Sequence, residues 1–160
     1  SRKKYRNPLF ENNFRKQFMS DEKQFCTFYL GDRFFGVEVD RVQEVFRYQE
    51  MTQVPLAPSV VRGLINLRGQ IITAIDLRRR LGMKEISNDQ KPMNIVVKTD
   101  DDVVSLLVDR IGDVLEVGDE VLEPPPETLN DVARKLIPGV YKLNGSLLLT
   151  IDTEKTLDFS

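Results

Sequence analysis

A fourteen-residue stretch occurs twice in this chain, and the repetition constrains the fold more than any other feature. Residues 63–76 read Gly-Leu-Ile-Asn-Leu-Arg-Gly-Gln-Ile-Ile-Thr-Ala-Ile-Asp, and residues 139–152 read Gly-Val-Tyr-Lys-Leu-Asn-Gly-Ser-Leu-Leu-Leu-Thr-Ile-Asp. Gly63, Leu67, Gly69, Ile75 and Asp76 return as Gly139, Leu143, Gly145, Ile151 and Asp152. A second echo lies upstream of each copy: Val39 to Val45 against Val108 to Val114. Both echoes fall in the same order, so the chain carries two copies of one folding unit. A two-unit body without evident chemistry reads as a docking surface before it reads as an enzyme.

Composition narrows the function classes. The 160 residues, 41% of them hydrophobic, suffice for one ordinary domain or two small subdomains sharing a core. No apolar run approaches the roughly 18 residues of a membrane span, and no signal segment opens the chain, so direct membrane insertion is not expected. The single cysteine, Cys26, lies in an aromatic strand-like run and has no cysteine to pair with, which favours a reducing cytoplasm. Histidine is absent, which removes the histidine-dependent triads, histidine metal sites and histidine phosphorelay; zinc sites go with it. No catalytic residue, cofactor or metal is therefore expected. Residues 1–18 carry Arg2, Lys3, Lys4, Arg6, Arg15 and Lys16 against Glu11 alone, leaving the body with 17 basic and 24 acidic residues. An acidic body argues against nucleic acid as a partner.

Residues 1–23 read as a basic extension. Phe10, Phe14 and Phe18 recur at helical spacing, either as an amphipathic arm or as a remnant foreign to a native start at Met19. The body begins at residue 24. Phe25 to Leu30 and Arg33 to Val39 predict a hairpin about Gly31-Asp32. Asp40 is placed to cap a short helix over Arg41 to Phe46, with Val42, Val45 and Phe46 on one face. Met51 to Pro55 is extended. Gly63 to Leu67 and Gln70 to Leu77 are strands joined at Arg68-Gly69, and Leu77 to Leu81 is a short helix stopped by Gly82. A polar loop, Lys84 to Pro92, separates the copies. The second copy offers strands Asn94 to Thr99 and Val103 to Val108, and a helix or turn over Asp109 to Val114. An extended run to Val121 and a hairpin about Asn144-Gly145 come next, with strands Leu136 to Leu143 and Ser146 to Ile151. A half of roughly 65 residues with five short strands is most economically a closed or nearly closed barrel. The expected architecture is mainly β: two related, interleaved five-stranded barrels, roughly 24–90 and 91–157, with a groove between them.

The candidate chemistry is sparse. Asp76 and Asp152 are repeat equivalents and suggest the paired carboxylates of a two-barrel aspartic hydrolase. The glycine-containing loops of such a site are missing, and each aspartate instead ends a strand and caps the segment after it. Asp100-Asp101-Asp102 lacks the ligand spacing of a calcium loop. Arg78-Arg79-Arg80 could meet an acidic partner or phosphate, but flanked by Leu77 and Leu81 it reads first as a solvated helix face. Arg68 stands apart. Its repeat equivalent is Asn144, which suits a tight turn, whereas arginine brings five donors and a permanent charge to a loop between apolar strands. It is either an interface anchor or an unpartnered surface arginine.

The run Val61-Arg-Gly-Leu-Ile-Asn-Leu-Arg-Gly-Gln-Ile-Ile-Thr-Ala-Ile-Asp-Leu-Arg-Arg-Arg-Leu81 resembles the signature of the CheW family of bacterial chemotaxis coupling proteins. Phe28-Tyr-Leu-Gly-Asp-Arg-Phe-Phe-Gly-Val-Glu-Val39, the Val42-Gln-Glu-Val45 segment and Pro138-Gly-Val140 are similar to it as well, in order over about residues 24–157. The resemblance implies two five-stranded SH3-like barrels and no catalysis. It implies an adaptor, cytoplasmic and associated with membrane receptor arrays, that bridges chemoreceptor tips to the histidine kinase CheA through the kinase's regulatory domain. It also implies a receptor-facing groove built from Val42, Glu44, Asn66, Arg68 and Ile111, and it assigns no individual kinase-facing residue. A variant of this reading makes the chain a CheW-like module of a larger chemotaxis protein, a kinase or a receiver-fused coupling protein.

Overall fold

A computed structural model describes residues 23–84 and 90–159. The basic arm and the middle of the inter-copy loop fall outside these described residues. The described residues form ten strands and three short helices. The first half supplies β1 (Lys23–Leu30), β2 (Arg33–Glu38), β3 (Val42–Phe46), β4 (Val61–Leu67), β5 (Gln70–Asp76) and α1 (Leu77–Arg80). The second supplies β6 (Met93–Lys98), β7 (Val103–Val108), β8 (Arg110–Val117), α2 (Asp131–Leu136), β9 (Val140–Leu143), β10 (Ser146–Thr150) and α3 (Thr153–Leu157).

The strands form two five-stranded sheets, ordered β8-β1-β2-β10-β9 and β3-β6-β7-β5-β4. The sheets do not divide at residue 90. Each combines a hairpin from one half of the chain with three strands from the other. The internal symmetry is carried by register: Val42 faces Val97 in β6, and Ile111 faces Phe28 in β1. The hairpin partners Val104 and Phe35 then lie beside Thr73 and Leu149 in matching parallel ladders.

One expected helix and one expected helix or turn are strands. Val39–Arg41 is a single 3₁₀ turn without a side-chain cap, and Val42–Phe46 continues as β3. Val42, Glu44 and Phe46 face inward while Gln43 and Val45 face outward, a period of two. Asp109 to Val114 likewise gives way to β8, paired with β1. β-Branched and aromatic residues beside an unpaired hairpin edge gain more from a ladder than from an isolated helical turn. The helix α2 ends at Leu136, where a strand was expected to begin, and β9 starts only at Val140. The helix starts at Asn130, whose Oδ1 accepts from the Ala133 amide at 2.8 Å.

The residues of the repeat each have a structural cause. Thr52 and Leu64 exchange backbone hydrogen bonds of 2.9 and 2.8 Å, and Glu123 and Val140 do the same at 2.8 Å each. These bridges bring the chain that leaves each edge strand, β3 or β8, across to the opposite edge, β4 or β9. A Cβ on Gly63 would lie 2.7 Å from the Thr52 carbonyl oxygen, and one on Gly139 would lie 2.5 Å from that of Glu123. Only glycine permits the crossing. Asp76 and Asp152 cap α1 and α3, accepting from Arg79 N at 3.1 Å and Lys155 N at 3.0 Å.

One large core lies between the sheets and draws on both: Phe28, Phe35 and Val37 from one, Ile75, Ile95, Val97 and Leu106 from the other. The Phe28 and Phe35 rings stack with centroids 5.5 Å apart. A smaller cluster fills each sheet's own concavity, around Phe25, Tyr141 and Leu148 in one and Ile65, Ala74 and Leu107 in the other.

Candidate functional site

The turn between β4 and β5 presents Arg68 and Gly69 as its two central residues, with φ of 52° and 87°. Both are left-handed, as a primed two-residue hairpin turn requires. At the equivalent turn Gly145 has φ 85°, but Asn144 is not left-handed. The asparagine, which tolerates that conformation, does not use it, and the arginine, which does not favour it, does. Asn66 supports the turn by accepting from the Gly69 amide at 2.9 Å.

Arg68 is not unpartnered. Its Nη2 donates to Oε2 of Glu44 on β3. β3 and β4 are the two outer strands of their sheet, so this ion pair spans the opening between its edges. Glu44 is largely covered, whereas the Arg68 side chain is 71% exposed and keeps most of its surface toward solvent. Three expected residues, Glu44, Asn66 and Arg68, therefore meet in one place.

Val42 opens β3 and Ile111 is the second residue of β8, and both are half-buried against the large shared core. Each is succeeded by a register irregularity, where one strand carries an extra residue against its partner. They mark the equivalent edge of the two sheets, with their apolar faces partly open. Val45 and Val114, also repeat equivalents, project outward at 39% and 57% exposure.

Sequence reasoning missed a buried ion pair that ties the sheets together. Arg78, only 9% exposed, donates from Nε to Oδ1 of Asp109 at 3.0 Å and from Nη2 to Oδ2. Its Nη1 donates to the Lys84 carbonyl at 2.8 Å, and the Gly31 amide donates to Asp109 Oδ2 at 2.6 Å. Burial alone would raise the Asp109 carboxyl, but the hydrogen bonds from Arg78 and Gly31 outweigh it and hold the group below its ordinary range. Asp109 in turn raises Arg78, chiefly by that hydrogen bond. The arginine run is thus no solvated face. Arg78 is buried, Arg79 donates to the Ser59 carbonyl at 2.8 Å, and Arg80 holds the end of α3. The available signal was Asp109 itself, which recurs in the second echo as the counterpart of Asp40.

A second missed feature is the turn after Thr52. Leu56 has φ 66° and its side chain is wholly exposed, beside the partly exposed Val54. Burial pushes the Cys26 thiol up, away from the reactive thiolate form. Asp76 and Asp152 are held as helix caps at the ends of β5 and β10, in different sheets, and Asp76 also pairs with Arg62 at 3.2 Å. No group of three or more cysteine, aspartate or glutamate residues suited to a metal ion occurs among the described residues. No helix among them is long and apolar enough to cross a membrane.

Comparison with known proteins agrees with this architecture. A probable chemotaxis protein CheW of Rhizobium etli is 33% identical over 139 residues, 87% of this chain and 90% of that protein. The chemotaxis protein CheW of Klebsiella aerogenes is 33% identical over 135 residues, 84% of this chain and 81% of that one. The crystal structure of the scaffolding protein TtCheW from Thermoanaerobacter tengcongensis superposes with a TM-score of 0.76 at 26% identity, covering 86% of this chain and 94% of that one. The family model described as CheW-like domain matches residues 24–159, and the chain belongs to that family of chemotaxis coupling adaptors.

Proposed function

We propose that this adaptor bridges the cytoplasmic tips of transmembrane chemoreceptors to the regulatory domain of the histidine kinase CheA, in arrays beneath the membrane. The receptor would be met by Val42, Glu44, Asn66, Arg68 and Ile111. The observation that carries this reading is the Arg68–Glu44 pair: an exposed guanidinium, oriented by a covered carboxylate, on a turn whose backbone is strained for arginine.

The physical logic is that of a helix docking against apolar anchors. Val42 and Ile111 offer two half-buried aliphatic contacts at equivalent places. Arg68 retains donors for a carboxylate or carbonyl on the receptor, while Glu44 fixes its orientation and so lowers the entropic cost of the contact. A signal would then pass as a change in the relative geometry of receptor and kinase. That requires contacts that differ between the receptor's two states, and a charge-assisted hydrogen bond at a strained turn is sensitive to small displacements.

The test is a pull-down with a receptor cytoplasmic tip and the kinase regulatory domain, separately and together. The wild-type chain should retain both, while Arg68→Ala and Val42→Asp should lose the receptor tip and keep the kinase domain. Unchanged receptor retention by both variants overturns the assignment of this surface.

A further inference from the structure

Three cations gather at one end of an acidic body. Arg80 on α1, Lys135 on α2 and Lys155 on α3 line a concavity of about 480 Å³ together with Val132, Leu136 and Asp158. The chain beyond residue 18 carries 17 basic and 24 acidic residues, so a pocket lined by three cations and one carboxylate runs against the net charge of the body. None of Val42, Glu44, Asn66, Arg68 or Ile111 lines it, and it is independent of the surface described above.

The charges are built in different ways. Arg80 is fixed: Nε donates to the Thr156 carbonyl at 2.7 Å, Nη2 donates to those of Lys155 and Asp158 at 2.9 and 3.1 Å, and the guanidinium lies 5.8 Å from the Phe159 ring centre. It takes up carbonyls that α3 leaves open at its end. Lys135 and Lys155 are exposed, and among the described residues neither forms an ion pair. Both lie in the last turn of their helices, where a cation offsets the helix dipole. That role explains their positions on each helix. It does not explain why an apolar wall opens between them: Val132 is 45% exposed, above the buried Leu136.

The wall and rim select among anions. The Asp158 carboxylate at the rim opposes a compact, multiply charged group such as phosphate, which would also leave most of the volume unfilled. It tolerates single charges spaced apart. We infer that this pocket receives an acidic peptide segment of a partner protein, with carboxylates on Lys135 and Lys155 and an apolar side chain against Val132 and Leu136.

A labelled peptide alternating Glu and Leu, titrated with the full chain and monitored by fluorescence anisotropy, tests this. Binding should saturate and weaken as salt rises. K135E/K155E should weaken it by about tenfold or more, and K135Q/K155Q and V132D by smaller factors; all three should still melt cooperatively, K135E/K155E at a somewhat lower temperature because anions there oppose the helix dipoles. Absence of saturable binding, or equal affinity in K135E/K155E and V132D, overturns the inference. Displacement by inorganic phosphate at matched ionic strength overturns it too, as does preference for phosphatidylserine vesicles over the peptide, because charge alone would then be read.

Discussion

Arg68 occupies a backbone conformation that costs a residue with a side chain about 1 kcal/mol, and it does so beside an ion pair that is mostly in solvent. Folding alone does not favour arginine here. Arg68→Gly should therefore leave urea-denaturation stability within about 1 kcal/mol of wild type, or raise it, while receptor retention is lost. A large loss of stability would make the residue structural instead. Asp109 behaves in the opposite way. Asp109→Asn leaves the buried Arg78 without its counter-charge and should cost about 3 kcal/mol. The Asp109 carboxyl is depressed in the folded state, so its contribution is complete above the unfolded aspartate pKa of about 3.9 and is lost as pH falls through the folded value. The difference between wild type and Asp109→Asn in denaturation experiments should accordingly shrink as pH falls from about 5 toward 3. A difference that grew on acidification would contradict the pairing.

At the scale of elements, hairpins and caps were legible because their determinants are local. Gly31-Asp32, Arg68-Gly69 and Asn144-Gly145 each sit between apolar runs, and Asp76 and Asp152 each precede a helix they cap. The edge strand β3 and the first half of β8 were not legible, whereas the extended run from Val114 matches the second half of β8. Val42, Val45 and Phe46 satisfy a helical spacing by coincidence, and what makes the segment a strand is β6, some 50 residues further on. The partnership of Glu44 with Arg68 was hidden for the same reason. So was that of Arg78 with Asp109, since it depends on which sheet each strand joins. The repeated glycines could be read as important but not as crossing points. Gly139→Ala must push a Cβ into the Glu123 carbonyl and should cost about 2–3 kcal/mol. Gly145→Ala meets nothing within 4 Å and should cost only about 1 kcal/mol, for its φ of 85°. Thermal melts of the two variants should rank in that order.

For the whole molecule, the repeat in sequence is not a division in space. Each sheet needs both halves of the chain, and the largest core lies between the sheets. Fragments 19–87 and 88–160, made separately, should each lack a cooperative melt, and mixing them should restore the β circular dichroism and the transition of the intact chain. Independent folding of either fragment would refute the shared core as the source of stability. Among the described residues the chain passes from one sheet to the other twice: through Val39–Arg41, before Val42, and through Asp109, before Arg110. The two crossings lie at opposite ends of the β1–β2 hairpin: Glu38 pairs with Phe25 at one, and the Asp109 amide donates to the Tyr29 carbonyl at the other. Any twist of one sheet against the other must be absorbed at these crossings. Asp109 is clamped by the buried Arg78, while at the other crossing Asp40 is exposed and Arg41 is tied to Glu154 by an exposed ion pair of 3.2 Å, so one crossing is pinned more firmly than the other.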